Sequence, residues 1–75
     1  MDASRPLDAL NDARNKRVIV ELKSNKQIIG MLKAFDIHIN IVLGDAEERS
    51  LTGEITRKLG NVFIRGDTIT VISPA

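Results

Sequence analysis

Cysteine, tryptophan and tyrosine are absent from this chain of 75 residues, and phenylalanine occurs only at Phe35 and Phe63. Without cysteine there is no disulfide framework, and a single histidine cannot build a structural zinc site. The shortage of aromatics removes the usual lining of a groove that binds peptides. Charge of one sign is lacking too: eleven Lys and Arg stand against ten Asp and Glu, a net charge of +1. That balance excludes the bulk electrostatic grip of a typical DNA-binding domain, so any nucleic-acid contact must be local. No apolar run approaches the roughly 18 residues of a membrane helix, and residues 1–6 lack the apolar stretch of a signal peptide. No membrane partner is expected, and the chain reads as cytoplasmic.

What is present is 43% hydrophobic residues, drawn almost entirely from Ile, Val, Leu and Ala. β-Branched packing of this kind suits a small barrel. A single domain of this size buries little apolar surface, and with disulfides and metals excluded, oligomerisation is the remaining source of stability.

Residues 4–13 read as a short helix, with Ser4 or Arg5 as its cap, Pro6 in the first turn and Asp8 near the positive end of the dipole. Leu7, Leu10 and Ala13 form a narrow apolar stripe that could lid a barrel end. From Arg17 the period becomes two, with Val18, Val20 and Leu22 on one face and Ile19, Glu21 and Lys23 on the other. Ser24-Asn25 reverses the chain into a second strand over 26–35, where Gly30 marks a sharp bend. A loop over 36–39 leads to a short third strand, 40–43, ending near Gly44-Asp45. Residues 47–50, with Thr52-Gly53, read as a solvated turn. A fourth strand is expected over 54–64 with a bulge at Lys58-Leu59-Gly60. Arg65-Gly66-Asp67 turns into a fifth strand over 68–72, which Ser73-Pro74 stops. The expected class is mainly β: a short N-terminal helix, then a strongly bent five-stranded antiparallel barrel.

Two polar clusters interrupt the apolar pattern. In Phe35-Asp36-Ile37-His38-Ile39-Asn40, an imidazole and a carboxamide two residues apart share one side of an extended backbone. In Ile64-Arg65-Gly66-Asp67-Thr68, a guanidinium and a carboxylate flank a glycine. Together these groups can sandwich a flat heterocycle and hydrogen-bond its edge, as single-stranded RNA bases are held.

The same residues carry a family resemblance. Val20-x-Leu22, Gly30-x-Leu32 and Phe35-Asp36-x-His38-x-Asn40-x-x-Leu43 resemble the first Sm signature, and Leu59-Gly60-x-Val62-x-Ile64-Arg65-Gly66-Asp67-x-Ile69 resembles the second. The likeness follows the archaeal branch of the Sm-like (LSm) family over nearly the whole chain. It implies a single Sm domain over 1–75, with a helix at about 4–13, a first signature at about 17–46 and a second at about 59–73. It further implies a ring, most often of seven subunits, in which the fourth strand of one subunit pairs with the fifth of the next. Such a ring holds uridine-rich single-stranded RNA, one base per subunit, in RNA processing or ribonucleoprotein assembly. Carried over residue by residue, His38 and Arg65 stack on the two faces of the base and Asn40 reads its edge. Asp36 and Asp67 orient these groups, with Asp67 fixing the Asn40 amide, and Gly66 lets the backbone approach the base. This sequence departs from the family at Ser24-Asn25, where a glycine is common, and at Ile29 and Met31, which are unusually apolar for outward positions.

Other readings of these residues are weaker. A metal at Asp36 and His38 would need further ligands, for which Glu47 and Glu48 are the only candidates; no metal and no cofactor are expected. Ser24, Ser50 and Ser73 lack an oxyanion pattern, so no enzyme is expected. Without a secretory context, Arg65-Gly66-Asp67 is a turn rather than an adhesion signal. Lys16, Arg17, Lys23, Lys26 and Lys33 could form a solvated face or a weak phosphate-steering surface, the solvated face being the default reading. The bacterial Hfq branch, an RNA chaperone of the same fold, carries a Lys-His dipeptide in its second signature; Ile64-Arg65-Gly66-Asp67 stands there in this chain, which disfavours that reading. A protein-only SH3-like scaffold is disfavoured by the missing aromatics.

Overall fold

The structure, a computed structural model, describes residues 5–75. Helix α1 (Pro6–Asp12) is followed by five strands: β1 (Arg17–Leu22), β2 (Gln27–Phe35), β3 (Ile41–Arg49), β4 (Ile55–Ile64) and β5 (Ile69–Pro74), with one 3-10 turn at Gly66–Thr68. All pairings are antiparallel, and the sheet order is β4-β3-β2-β1-β5. The expected architecture is therefore present, and β4 and β5 are the two sheet edges. Among the described residues no helix is long and apolar enough to cross a membrane.

Alternation places the core. Val18, Val20, Ile28, Leu32, Ile41, Leu43, Ala46 and Ile64 are buried in one cluster, with Leu10, Ala13 and Leu22 packed against it. Helix α1 starts after Arg5, which makes no side-chain cap and instead donates to Asp8 at 3.1 Å. The alternative cap, Ser4, lies outside the described residues. Leu7 is not part of the lid: it is 39% exposed, and only Leu10 and Ala13 reach the core.

Gly30 sits where the bend demands it. A Cβ there would lie 3.0 Å from the Gly44 carbonyl oxygen, 3.1 Å from Leu43 Cβ and 3.2 Å from Ala46 Cα, tighter than ordinary packing allows. Asn25 adopts φ 68° in the first hairpin, filling the left-handed position that glycine otherwise takes. The bulge in β4 is real: Ala46 pairs with Gly60 and Glu47 with Lys58, leaving Leu59 extra, and Gly60 has φ 70°.

Three expectations about the strands also need correction. The third strand does not end near Gly44. It runs to Arg49, so Glu47, Glu48 and Arg49 of the segment read as a solvated turn are strand, with Glu47 opposite Ile29 and Glu48 opposite Ile28, while Thr52-Gly53 do lie in the turn, where the Gly53 N–H donates to the Ser50 carbonyl at 2.9 Å. Asp45, at φ 48°, kinks the strand so that the two-residue alternation is lost beyond it, while Glu48 reaches Lys26 at 3.9 Å and Thr56 at 3.1 Å. Secondly, Ser73-Pro74 does not stop β5: Pro74 pairs with Val18, and Ala75 N–H donates to the Arg17 carbonyl. An edge strand tolerates proline because one row of its amides has no partner within the sheet. Thirdly, Ile29 is no outward residue, being 3% exposed between Ile19 of β1 and Glu47 of β3.

Candidate nucleic-acid interface

His38 and Asn40 lie in a tight turn rather than on extended backbone, which corrects the expectation. The Asp36 N–H donates to the Asn40 carbonyl at 3.1 Å and the Ile39 N–H to the Asp36 carbonyl at 3.0 Å. Ile39 is forced to φ 61°, a strained value for a β-branched residue, while its side chain packs on the core. The Asp36 carboxylate holds this turn from within: Oδ1 accepts the N–H groups of His38 at 2.9 Å and Asn40 at 3.1 Å, and Oδ2 accepts the Asn40 Nδ2 at 3.0 Å. With the Asn40 amide as the first cause, joined by these backbone N–H groups, the Asp36 carboxyl is held below its ordinary value of 3.8. It is therefore ionised at neutral pH.

The second cluster meets the first through backbone. Gly66 N–H donates to Asn40 Oδ1 at 2.8 Å. A Cβ on Gly66 would collide with the His38 carbonyl oxygen and lie 2.7 Å from the Ile39 carbonyl carbon. Glycine is required here by the approach of one turn to another, and not only by the approach of a ligand. Thr68 closes the second turn, donating from its hydroxyl to the Arg65 carbonyl at 2.7 Å, and the Lys23 N–H donates to the Thr68 carbonyl at 2.8 Å, tying it to the end of β1. Sequence reasoning gave Thr68 no part in the site; a threonine three residues after a candidate site residue, able to back-bond in an ST-type turn, is the signal that marks it.

His38, Asn40, Arg65, Gly66 and Asp67 thus line one shallow depression, with Asp36 bonded behind Asn40. The Asn40 amide is oriented by two unlike partners. A carboxylate can only accept and a backbone N–H can only donate, so Nδ2 must face Asp36 and Oδ1 must face Gly66. One N–H and one lone pair of the amide stay available for a ligand that offers an acceptor beside a donor. Asp67 does not orient this amide, contrary to expectation. Its carboxylate accepts from the Arg65 guanidinium at 3.0 Å, and both side chains are exposed. Among the described residues no three His, Asp or Glu side chains converge as a metal site would require.

The family model of the LSM domain matches residues 8–74. An snRNP Sm-like protein of Methanococcoides burtonii is 52% identical over 71 residues, covering 95% of this chain and 97% of that one. One from Archaeoglobus fulgidus is also 52% identical, over 95% of this chain and 91% of the relative. Among solved structures, the Sm protein of Pyrococcus abyssi in complex with a uridine heptamer superposes with a TM-score of 0.91 at 42% identity, covering 96% of this chain and all of that one. A heptameric archaeal Sm protein matches with a TM-score of 0.82 at 39% identity, over 89% and 96% of the two chains. With the helix, the five bent strands and both signature turns in place, the chain belongs to the LSM (Sm-like) family.

Proposed function

We propose that this chain is an RNA-binding ring protein that holds uridine-rich single-stranded RNA around a central pore, one base per subunit. The observation that carries this reading is the Asn40 amide, locked by Asp36 and Gly66 with one donor and one acceptor free. Uracil presents the matching pair in O4 and N3–H. His38 and Arg65, lining the same depression, supply flat groups to stack on the two faces of the base. The similarity to a Pyrococcus abyssi protein whose structure contains a uridine heptamer supports the ligand class.

Assembly follows from the sheet edges. Ile55 and Phe63 on β4 and Val71 on β5 are 51%, 64% and 47% exposed. Unpaired edges carrying such side chains invite further pairing, and a β4-to-β5 contact repeated around a closed ring satisfies both edges at once. The similarity to heptameric archaeal Sm proteins supports seven subunits. The whole chain acts as a single Sm domain with signatures at about 17–46 and 59–73, in RNA processing or ribonucleoprotein assembly in the cytoplasm, with no catalytic role of its own.

Native mass spectrometry with and without a seven-nucleotide oligouridine tests both parts. The expected species is a heptamer that takes up one oligomer. A folded monomer at micromolar concentration would overturn the ring, and a ring without bound oligouridine would overturn the ligand.

A further inference from the structure

Four cations of the chain are engaged within the fold: Arg5 pairs with Asp8, Lys26 with Glu48 and Arg65 with Asp67, and Arg14 lies over the Phe35 ring at 5.3 Å. Lys16 and Arg17 are exposed and, among the described residues, their side chains enter no ion pair or hydrogen bond. Both line one depression at the foot of α1, beside the apolar Ala13, Val18 and Pro74, with Asp12 as its one acidic side chain. The backbone fixes them there. Asn15 turns the chain from helix to strand at φ 65°, its N–H donating to the Leu32 carbonyl at 2.7 Å, and the Leu32 N–H donates back to the Lys16 carbonyl at 2.9 Å. The Arg17 carbonyl accepts the Ala75 N–H at 3.1 Å. Because β1 lies between β2 and β5 in the sheet, Arg17 and the lysine before it belong to neither sheet edge.

The base site supplies a single cation, Arg65, among His38, Asn40, Gly66 and Asp67, so it neutralises few phosphates. Contacts between cations and the RNA backbone raise affinity whatever the sequence. We propose that the cleft at the foot of α1 is a second RNA contact, in which Lys16 and Arg17 hold the phosphates of a strand that continues beyond the segment in the base sites. This inference rests on the RNA-binding reading above and extends it from the bases to the backbone of the flanking RNA. Lysine meets a phosphate as a point charge and arginine through its planar fork, while the apolar side chains between them take the ribose carbons. Each cleft is weak by itself, but the base sites hold the flank close to it and raise its effective concentration.

Fluorescence anisotropy measures wild-type and variant rings at several salt concentrations. The probes are a seven-nucleotide oligouridine and the same uridines extended to about three times that length by a flank of either adenosines or cytidines. Native mass spectrometry confirms that each variant still forms the ring. Wild-type rings should bind both flanked oligomers more tightly than the unflanked one. Their salt dependence should also be steeper, with about 2.6-fold more affinity lost over a fourfold salt increase for each phosphate neutralised. The double variant Lys16→Gln, Arg17→Gln should lose that excess for both flanks and bind the unflanked oligomer as the wild type does. The double variant Lys26→Gln, Lys33→Gln removes the same charge elsewhere on the exposed surface and should keep the excess. A flank that adds nothing in the wild type, or a gain that survives Lys16→Gln, Arg17→Gln, overturns the inference and leaves the RNA-binding reading standing. So does a gain confined to one flank, which would make the contact one with bases, and so does equal loss in the two double variants, which would make it an effect of net charge. Weakened binding of the unflanked oligomer in Lys16→Gln, Arg17→Gln would likewise overturn a separate cleft. Absence of wild-type binding to every oligomer overturns both readings.

Discussion

Asn40 accepts the backbone N–H of Gly66 at 2.8 Å across 26 residues of sequence, and this one bond joins the two signature turns into a single site. Because the amide nitrogen of Asn40 is held by Asp36 at the same time, the edge it offers a ligand is set before the ligand arrives. An amide oriented in advance would be mispaired against cytosine, which exchanges the O4 acceptor of uracil for an amine and the N3–H donor for a bare nitrogen.

Replacing Asn40 by alanine should flatten the preference for oligouridine over oligocytidine, because mispaired polar groups cost ~1–3 kcal/mol per site. His38→Ala should instead weaken both oligomers in parallel, stacking being worth ~1–3 kcal/mol per base whatever its identity. Anisotropy titrations at one fixed salt concentration compare them. Full uridine preference in Asn40→Ala would move base reading to backbone groups beside Gly66.

Gly66→Ala should damage the site without touching any group that faces a base. The added methyl meets the His38 carbonyl and the Ile39 backbone, so the turns must separate and the bond to Asn40 must lengthen. Overpacking of this kind costs ~1–3 kcal/mol, and yielding is hard where both partners are backbone. Thermal unfolding should register the loss, and oligouridine affinity should fall with it. Unaltered values of both would show that the turns are looser than their geometry implies.

Gly30→Val tests the bend in β2. Valine favours strands, yet its Cβ would crowd the Gly44 carbonyl, Leu43 and Ala46 together. Loss of the fold, or a drop in Tm of at least roughly 5 °C, is expected for an overpacking cost of ~1–3 kcal/mol. Melting at the wild-type temperature would mean that β2 and β3 can part at little expense.

Acid should open the Asp36 turn only at low pH. Because the folded carboxyl titrates below its ordinary value of 3.8, its stabilising contribution is fully present above that value and is lost as pH falls through the lowered one. The NMR signals of the Asn40 side-chain amide and the His38 N–H should hold steady down to about pH 5 and shift only in more acid solution. In Asp36→Asn that acid transition should vanish. A wild-type transition centred above the ordinary carboxylate value would contradict the hydrogen bonding described for this turn.

Charging an edge should open the ring. Val71 is 47% exposed on β5, so Val71→Lys is compatible with a folded subunit but places a cation where a β4 edge would dock. Analytical ultracentrifugation should find monomers in place of heptamers, and the persistence of rings would locate the subunit contact elsewhere.

Much of this was legible in the chain because its causes are local. Val18, Val20, Ile28, Leu32, Ile41 and Leu43 alternate as strands with one buried face do, and Asn25 and Gly60 stand where the backbone turns left-handed. The grouping of His38, Asn40, Arg65, Gly66 and Asp67 was implied by the resemblance to the two Sm signatures, and all five line one depression. The third strand beyond Asp45 was not legible. Glu47, Glu48 and Arg49 resemble a solvated turn in composition, and only pairing with β2 on one side and β4 on the other holds them extended.

Sequence by itself determined the elements and their order, since periodicity, turn residues and the lack of cysteine act through neighbouring positions. Tertiary structure alone decided which carboxylate serves which partner. Asp36 and Asp67 are equivalent as residue types, yet Asp36 holds the Asn40 amide while Asp67 holds Arg65. The left-handed turn at Ile39 folds Asn40 back over Asp36, four positions before it, while Asp67 meets the Arg65 guanidinium two residues away within the second turn, and Gly66 N–H rather than Asp67 reaches Asn40. A spacing in sequence cannot express that choice, because it depends on where two turns some 26 residues apart come to rest against each other.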